Sequence, residues 1–407
     1  MLRLSLILAA VLYSLALPAQ TPFQIGSDLD SLSAVEMIVW YGYPVESHVA
    51  ETKDGYLLTM HRIPYGKAPG AGPAPNKPVA FLQHGLLSSS ADWLVIGPDN
   101  ALAYLLADQG YDVWMGNARG NTYSRAHKTL DPDNLADRPK FWDFSWHEIG
   151  IYDLPAMIDY VLNTTKQTKL TYVGHSQGTT TLFVMLSQRP EYNNVLKSAH
   201  ALAPLAFMQN LKSPFIKALA PYADTLDFLA RLIGVDEFLP SNEMMQLGGQ
   251  LACMDGSLFQ EVCVNVLFLT TGYDSEQLNR TQLPAILHNV PAGASRHQIV
   301  HYAQLYNSGY FRQFDKGLIA NLRKYGSITP PKYALKKISA PIGLYYGTND
   351  WLAYVKDVEK LRSQLPNVIE DYIVPYNRFN HIDFVWAINV KSMLYDRLIS
   401  VMELYNN

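Results

Sequence analysis

The sequence predicts an α/β fold, a mostly parallel sheet with helices on both faces and a large, mostly helical insertion. Three observations predict it. Short apolar runs alternate with amphipathic ones along most of the chain. One such pair brackets a serine: Leu170-Thr171-Tyr172-Val173, then Gly174-His175-Ser176-Gln177-Gly178, then the helix-compatible Thr179 to Gln188. The rhythm breaks over 208–332, a stretch far too long for one strand-to-strand crossover.

The elements follow in order. Lys77 to Gln83 reads as a strand ending at His84-Gly85. Asn100 to Gln109 is an amphipathic helix stopped by Gly110. Tyr111 to Met115 is a second strand, broken by Gly116. Ile149 to Leu162 places Leu154, Met157, Ile158 and Val161 on one helix face. Leu170 to Val173 is the strand that delivers Ser176, and Ser198 to Phe207 reads as another. After the insertion come strands at Ala340 to Tyr346 and Val368 to Val374, then a C-terminal helix from Val390 to Leu404. Residues 1–19 read as a leader, 20–207 and 333–407 as two parts of one core, and 208–332 as a helical cap over the carboxyl edge of the sheet. Ligands of open α/β sheets bind at that edge.

Of 407 residues, 48% are hydrophobic and 17% charged, with a net charge of −4. That balance supports a large core. No basic run points to nucleic acid. Arg3, the apolar Leu4 to Leu17 and Pro18-Ala19 form a secretory signal pattern. The apolar stretch is shorter than the roughly 20 residues a membrane span needs, and no later segment is apolar enough. The mature protein is therefore expected to be soluble, with an uncleaved anchor as the alternative. Asn163-Thr164-Thr165 and Asn279-Arg280-Thr281 are N-glycosylation sequons. Cys253 and Cys263, the only cysteines, lie ten residues apart. They can close one small loop in an oxidising compartment or remain two buried thiols. Nothing around them suggests a metal site.

The chemistry starts from Ser176. A serine hydroxyl needs a base to take its proton, and the base needs a partner to orient it. On a strand–turn–helix serine these follow in the order acid, then histidine. Asp350 lies in Gly347-Thr348-Asn349-Asp350, directly after a strand, and His381 just past the last strand. Both are expected at the edge where Ser176 emerges. Asp371 lies inside a strand, and Asp383 is too near His381 in sequence to orient it easily. His175 should point away from Ser176. His288, His297 and His301 fall in the insertion as surface or structural residues. The backbone N–H groups of Gln177 and Leu86 are the expected oxyanion donors. Phe215, Phe228, Leu229, Leu232, Phe238 and Leu239 suit an apolar substrate, although such a stripe is more often core.

These residues resemble the acid lipases of the α/β-hydrolase superfamily, the group containing gastric and lysosomal acid lipase. Trp40-Tyr41-Gly42-Tyr43-Pro44, Asp54-Gly55-Tyr56, Gln83-His84-Gly85-Leu86-Leu87 with Trp93, and Gly116 to Ser124 (GNARGNTYS) carry the likeness. So do Tyr152 to Ala156, Gly174 to Thr180, Gly347 to Asp350, and His381 to Trp386. The resemblance spans nearly the whole mature chain. It implies a lid-bearing cap, a Cys253–Cys263 disulfide, and hydrolysis of long-chain fatty esters, acylglycerols or cholesteryl esters, without metal or organic cofactor. It implies a lipid–water interface as partner and a secreted or lysosomal destination, and leaves the oligomeric state open. A peptidase or thioesterase on the same fold and a non-catalytic lipid carrier are the alternatives.

Overall fold

The computed structural model describes residues 28–240 and 260–406. The leader and Cys253 lie outside these residues, as does the Cys263 side chain, so the expected disulfide falls outside the described structure. Eight strands form one sheet: β1 (Glu46–Glu51), β2 (Leu57–Ile63), β3 (Val79–Gln83), β4 (Asp112–Gly116), β5 (Leu170–His175), β6 (Leu196–Leu202), β9 (Ile342–Tyr346) and β10 (Val368–Ile373). The short β7 (Glu237–Phe238) and β8 (Ala294–Ser295) pair separately. The sheet order is β1-β2-β4-β3-β5-β6-β9-β10. From β4 to β10 every neighbouring pair is parallel, and β1–β2 and β2–β4 are antiparallel.

The central strands β3, β4, β5 and β9 are buried along their whole length. Helices cover both faces, so these strands read as continuous apolar runs rather than alternating ones. The edge strands differ. β1 (ESHVAE) is mostly exposed and polar, which hides it from a search for apolar runs. Together with β2 it forms a hairpin turning at Asp54-Gly55, an element the sequence reading does not assign. Two boundaries also move. The strand expected over Ser198–Phe207 ends at Leu202, where Ala203 takes φ +52° and Pro204 can donate no ladder hydrogen bond. The helix expected from Ile149 opens with a wide turn over Ile149–Asp153 and becomes regular only at Leu154–Thr165. A wide turn of this kind adds a residue to a helix locally.

Between β6 and β9 the described residues form helices Pro214–Leu219, Ala223–Leu232, Gln260–Thr271, Leu283–Asn289, Arg296–Ser308 and Leu318–Tyr325. Their packing contradicts one expectation. Phe215, Phe228, Leu229 and Leu232 are half or more exposed, and Phe238 and Leu239 more than a third. The stripe is not core. It is an apolar face turned to solvent. His301 is structural: its ring stacks on Trp146 at 3.6 Å, with its nitrogens on Ser145 Oγ and the Arg312 carbonyl.

Candidate active site

β5 runs out of the sheet at His175, and the helix Gln177–Gln188 starts two residues later. Ser176 between them adopts φ +52°, ψ −114°. A non-glycine residue in that region costs about 1–3 kcal/mol and persists only where its surroundings hold it. Here they do. Ser176 N–H donates to Leu202 O on β6 at 2.9 Å. Its carbonyl accepts from Thr179 N–H at 2.9 Å and Thr179 Oγ1 at 2.6 Å. The flanking glycines serve the same bend. A Cβ on Gly174 would lie 2.8 Å from the Gly178 carbonyl carbon, and a Cβ on Gly178 would fall on the Gln83 carbonyl oxygen of β3. The threonines after the serine cost little in the helix because their hydroxyls find partners. Thr180 Oγ1 donates to Leu205 O at 2.8 Å and Thr181 Oγ1 to Gly178 O at 3.1 Å.

Asp350 follows β9 and His381 follows β10, and the three side chains meet at the carboxyl edge of the parallel strands. His381 Nε2 lies 2.7 Å from Ser176 Oγ, and His381 Nδ1 lies 2.8 Å from Asp350 Oδ2. The other Asp350 oxygen accepts two backbone N–H bonds, from Leu352 and Ala353, each at 2.8 Å. The carboxylate is thus fixed in rotation with one oxygen aimed at the imidazole. All three residues are buried. This arrangement can shuttle a proton from the serine to the imidazole.

Gln177 is the first residue of its helix, so its N–H has no intrahelical partner. The Gln177 side chain donates from Nε2 to Gln298 Oε1 at 2.7 Å, tying the helix to Arg296–Ser308 of the insertion. The loop after β3 passes over the serine: a Cβ on Gly85 would lie 3.3 Å from Ser176 Cβ. That packs Gly85 directly against Ser176. The stretch Asn117–Ser124 holds this loop. His84 Nδ1–H donates to Gly85 O at 2.7 Å, while His84 Nε2 accepts from Ala118 N–H at 3.1 Å. Burial lowers the His84 pKa to about 4, in keeping with a neutral ring. Asn117 Oδ1 accepts from Ser90 N–H at 2.9 Å, and Asn121 Nδ2 donates to Ser88 O at 3.3 Å.

The sequence reading missed what His175 does. Its Nε2–H donates to the His381 carbonyl at 2.9 Å, bracing the backbone that carries the imidazole. Burial, then the neighbouring His381, lowers its pKa to about 3. Adjacency to Ser176 was the only available signal. Of the sequons, Asn163 is exposed near the end of Leu154–Thr165, and Asn279 caps a short turn through Thr281 N–H at 3.1 Å. Among the described residues no helix is long and apolar enough to cross a membrane, and no group of three or more His, Cys, Asp or Glu could hold a metal ion.

Comparison with known proteins identifies the family. The family described as "alpha/beta hydrolase fold" matches residues 78–385, and that described as "Partial alpha/beta-hydrolase lipase region" matches 34–97. Lipase 3 of Drosophila melanogaster is 51% identical over 364 residues, covering 89% of this chain and 91% of that protein. Gastric triacylglycerol lipase of Bos taurus is 41% identical over 375 residues, 91% of each chain. Lysosomal acid lipase/cholesteryl ester hydrolase of Homo sapiens is 38% identical over 376 residues, 92% of each. A solved structure from Acinetobacter baumannii aligns with a TM-score of 0.51 at 17% identity, over 94% of this chain and 99% of that one, a likeness of fold alone. The chain belongs to the α/β-hydrolase lipases, the carboxylic ester hydrolase family that includes the gastric and lysosomal acid lipases.

Proposed function

We propose that this chain is a serine lipase that cleaves long-chain fatty esters, triacylglycerols or cholesteryl esters, through an acyl-enzyme. The observation that carries the reading is the hydrogen-bonded series Ser176–His381–Asp350, with contacts of 2.7 and 2.8 Å. Ser176 Oγ attacks the ester carbonyl as His381 Nε2 takes its proton. Asp350 keeps the proton of Nδ1 in place and offsets the imidazolium charge. The amides of Gln177 and Leu86 receive the oxyanion, where one donor is worth about 10²–10³ in rate. His381 then returns the proton to the leaving alcohol, and water enters by the same route in reverse to release the fatty acid.

Two lines support a lipid substrate. Two of the relatives are named for their substrates, a triacylglycerol lipase and a cholesteryl ester hydrolase. The insertion also presents the exposed face of Phe215, Phe228, Leu229 and Leu232, which suits a lipid–water interface. The same reading makes residues 208–332 a lid-bearing cap, pairs Cys253 with Cys263, glycosylates Asn163 and Asn279, and sends the protein to the cell exterior or the lysosome. Mass analysis of the secreted protein before and after reduction and deglycosylation tests these. For the activity, Ser176→Ala should lower turnover of triolein, cholesteryl oleate and a short soluble ester by roughly 10⁶. Retained turnover in the purified variant refutes the assignment.

A further inference from the structure

The helix Leu318–Tyr325 of the insertion is inverted relative to one that packs by burial. Its buried residue is polar: Asn321 is 1% exposed, while Leu318, Ile319 and Leu322 are 61%, 65% and 46% exposed. Apolar residues at this spacing normally face a core. Here polar bonds anchor the helix instead. Asn321 Oδ1 accepts from Lys316 N–H at 2.9 Å, and Asn321 Nδ2 donates to Asp315 Oδ1 at 2.8 Å and to Ile328 O at 2.9 Å. The last bond folds the following turn back on the helix, where Ile328 is 58% exposed. Tyr325 OH donates to Phe314 O at 2.9 Å and fastens the other end. None of these bonds uses an apolar side chain, so four large ones are held out to solvent.

The charge around this face has one sign. Residues 316–337 contain Lys316, Arg323, Lys324, Lys332, Lys336 and Lys337 and no acidic residue, in a chain of net charge −4. The cations are spread among apolar residues rather than run together, and all six are exposed. None of them enters an ion pair among the described residues. Acids close by are engaged elsewhere. Asp315 meets Arg312 at 2.9 Å, and Glu148 accepts from Ser145 N–H at 2.8 Å. Asp143, within electrostatic reach of Lys316 and Lys324, meets His297 Nδ1 at 3.3 Å. Arg323 and Lys324 form the last turn of the helix, and Arg323 lies one turn beyond the exposed Ile319.

We propose that the helix Leu318–Tyr325 and the turn at Ile328 form a docking face for a lipid surface that carries anionic headgroups. Exposed apolar side chains enter the boundary between headgroups and acyl chains, and cations beside them meet the headgroup charge. The apolar residues alone would suit any greasy surface. The unpaired cations select an anionic one. This face is on a different helix from Phe215, Phe228 and Leu229, and it concerns which surface the protein adheres to rather than which bond it breaks.

The test is sedimentation of the full chain carrying Ser176→Ala, so that binding is read without turnover, with vesicles of phosphatidylcholine alone or mixed with phosphatidylglycerol. The protein should bind the mixed vesicles, bind phosphatidylcholine alone much more weakly, and lose the difference as salt is raised. Arg323→Gln with Lys324→Gln should weaken binding to the mixed vesicles about thirtyfold, from roughly fivefold for each cation. Ile319→Ser with Leu322→Ser should weaken it at least about tenfold. Thermal unfolding of both double variants should match the parent, because the replaced side chains are exposed. Phe215→Ser with Phe228→Ser should leave the preference for phosphatidylglycerol intact. Equal binding to the two vesicle types, binding to neither, or mixed-vesicle binding that survives the loss of Arg323 and Lys324 overturns the proposal. So does a dimer that forms without vesicles and is abolished by the Ile319 and Leu322 changes, since a second copy would then cover the face.

Discussion

Replacing Asp350 by Asn tests whether the acid works by orienting the imidazole. The structure fixes how the amide must sit. The Asp350 oxygen that accepts from Leu352 and Ala353 N–H groups, both at 2.8 Å, has to remain an oxygen. Turning the NH₂ toward them would leave two donors facing a donor, at about 1–3 kcal/mol for each lost bond. The NH₂ is thereby committed to the oxygen that now meets His381 Nδ1 at 2.8 Å. Nδ1 must then become an acceptor, which puts the ring proton on Nε2, facing Ser176 Oγ at 2.7 Å. A base already protonated at that nitrogen cannot take the serine proton. We expect kcat to fall by about 10⁴, equivalent to about 5.5 kcal/mol. The fold should be untouched, because both backbone bonds survive. Asp350→Ala removes those bonds and should unfold more easily, yet it imposes no tautomer and should be no slower than the Asn variant. The assay is kcat on a soluble ester, with thermal unfolding of each variant in parallel. An Asn variant within tenfold of wild type, or a folded Ala variant a hundredfold slower than the Asn variant, refutes the tautomer argument.

Three further outcomes follow from buried groups. Arg119 is fully enclosed, bridging Asp54 and Asp153 at 2.6 Å each, so Arg119→Met strands the buried Asp153 and should cost about 3–5 kcal/mol in denaturant unfolding. A loss below about 1 kcal/mol would mean the cluster is not a true ion pair. Gly178→Ala should push β3 and with it the Gly85–Leu86 peptide. Labelling by a serine-directed phosphonate should slow at least about 100-fold, and unchanged labelling would show that the oxyanion donors tolerate the shift. His200 is enclosed between Ser198 Oγ at 2.9 Å and Tyr345 OH at 3.0 Å, with burial lowering its pKa to about 3. Its folded pKa lies below its unfolded one, so its contribution is complete above about pH 6.5 and is lost as pH falls toward 3. His200→Asn should remove about 2 kcal/mol of the acid destabilisation between pH 6.5 and 4.5, read as a flatter unfolding profile. Asp92, raised to about 6 by burial, tilts stability the other way, toward acid.

The sequence carried the site better than it carried the support. Ser176 and Asp350 were legible because each follows an apolar strand buried along its length, and His381 because it lies just past the last strand; a residue past a parallel strand lies at the carboxyl edge. The glycines around Ser176 were legible for a similar reason, since a bend between β5 and its helix leaves no room for a Cβ. The hairpin β1–β2 was not. Its outer strand is exposed and polar, and what holds it is register against β2 rather than burial. The same limit applied to Phe215, Phe228 and Leu229. Helical spacing of apolar residues says that a face exists but not whether protein or solvent meets it.

What stayed hidden has one physical character: polar contacts between segments far apart in the chain. The bond from His175 to the His381 carbonyl spans 206 positions, and that from Gln177 to Gln298 spans 121. No local pattern encodes either, because hydrogen bonding depends on where the fold brings an oxygen. The loop that carries His381 shows this best. His381 N–H donates to Thr271 O at 3.3 Å and Asn380 Nδ2 to Gly272 O at 2.9 Å, so the insertion holds the backbone that carries the imidazole. The three side chains follow from strand ends; the bonds that hold His381 2.7 Å from Ser176 and 2.8 Å from Asp350 draw their support from the insertion, through Thr271 and Gly272.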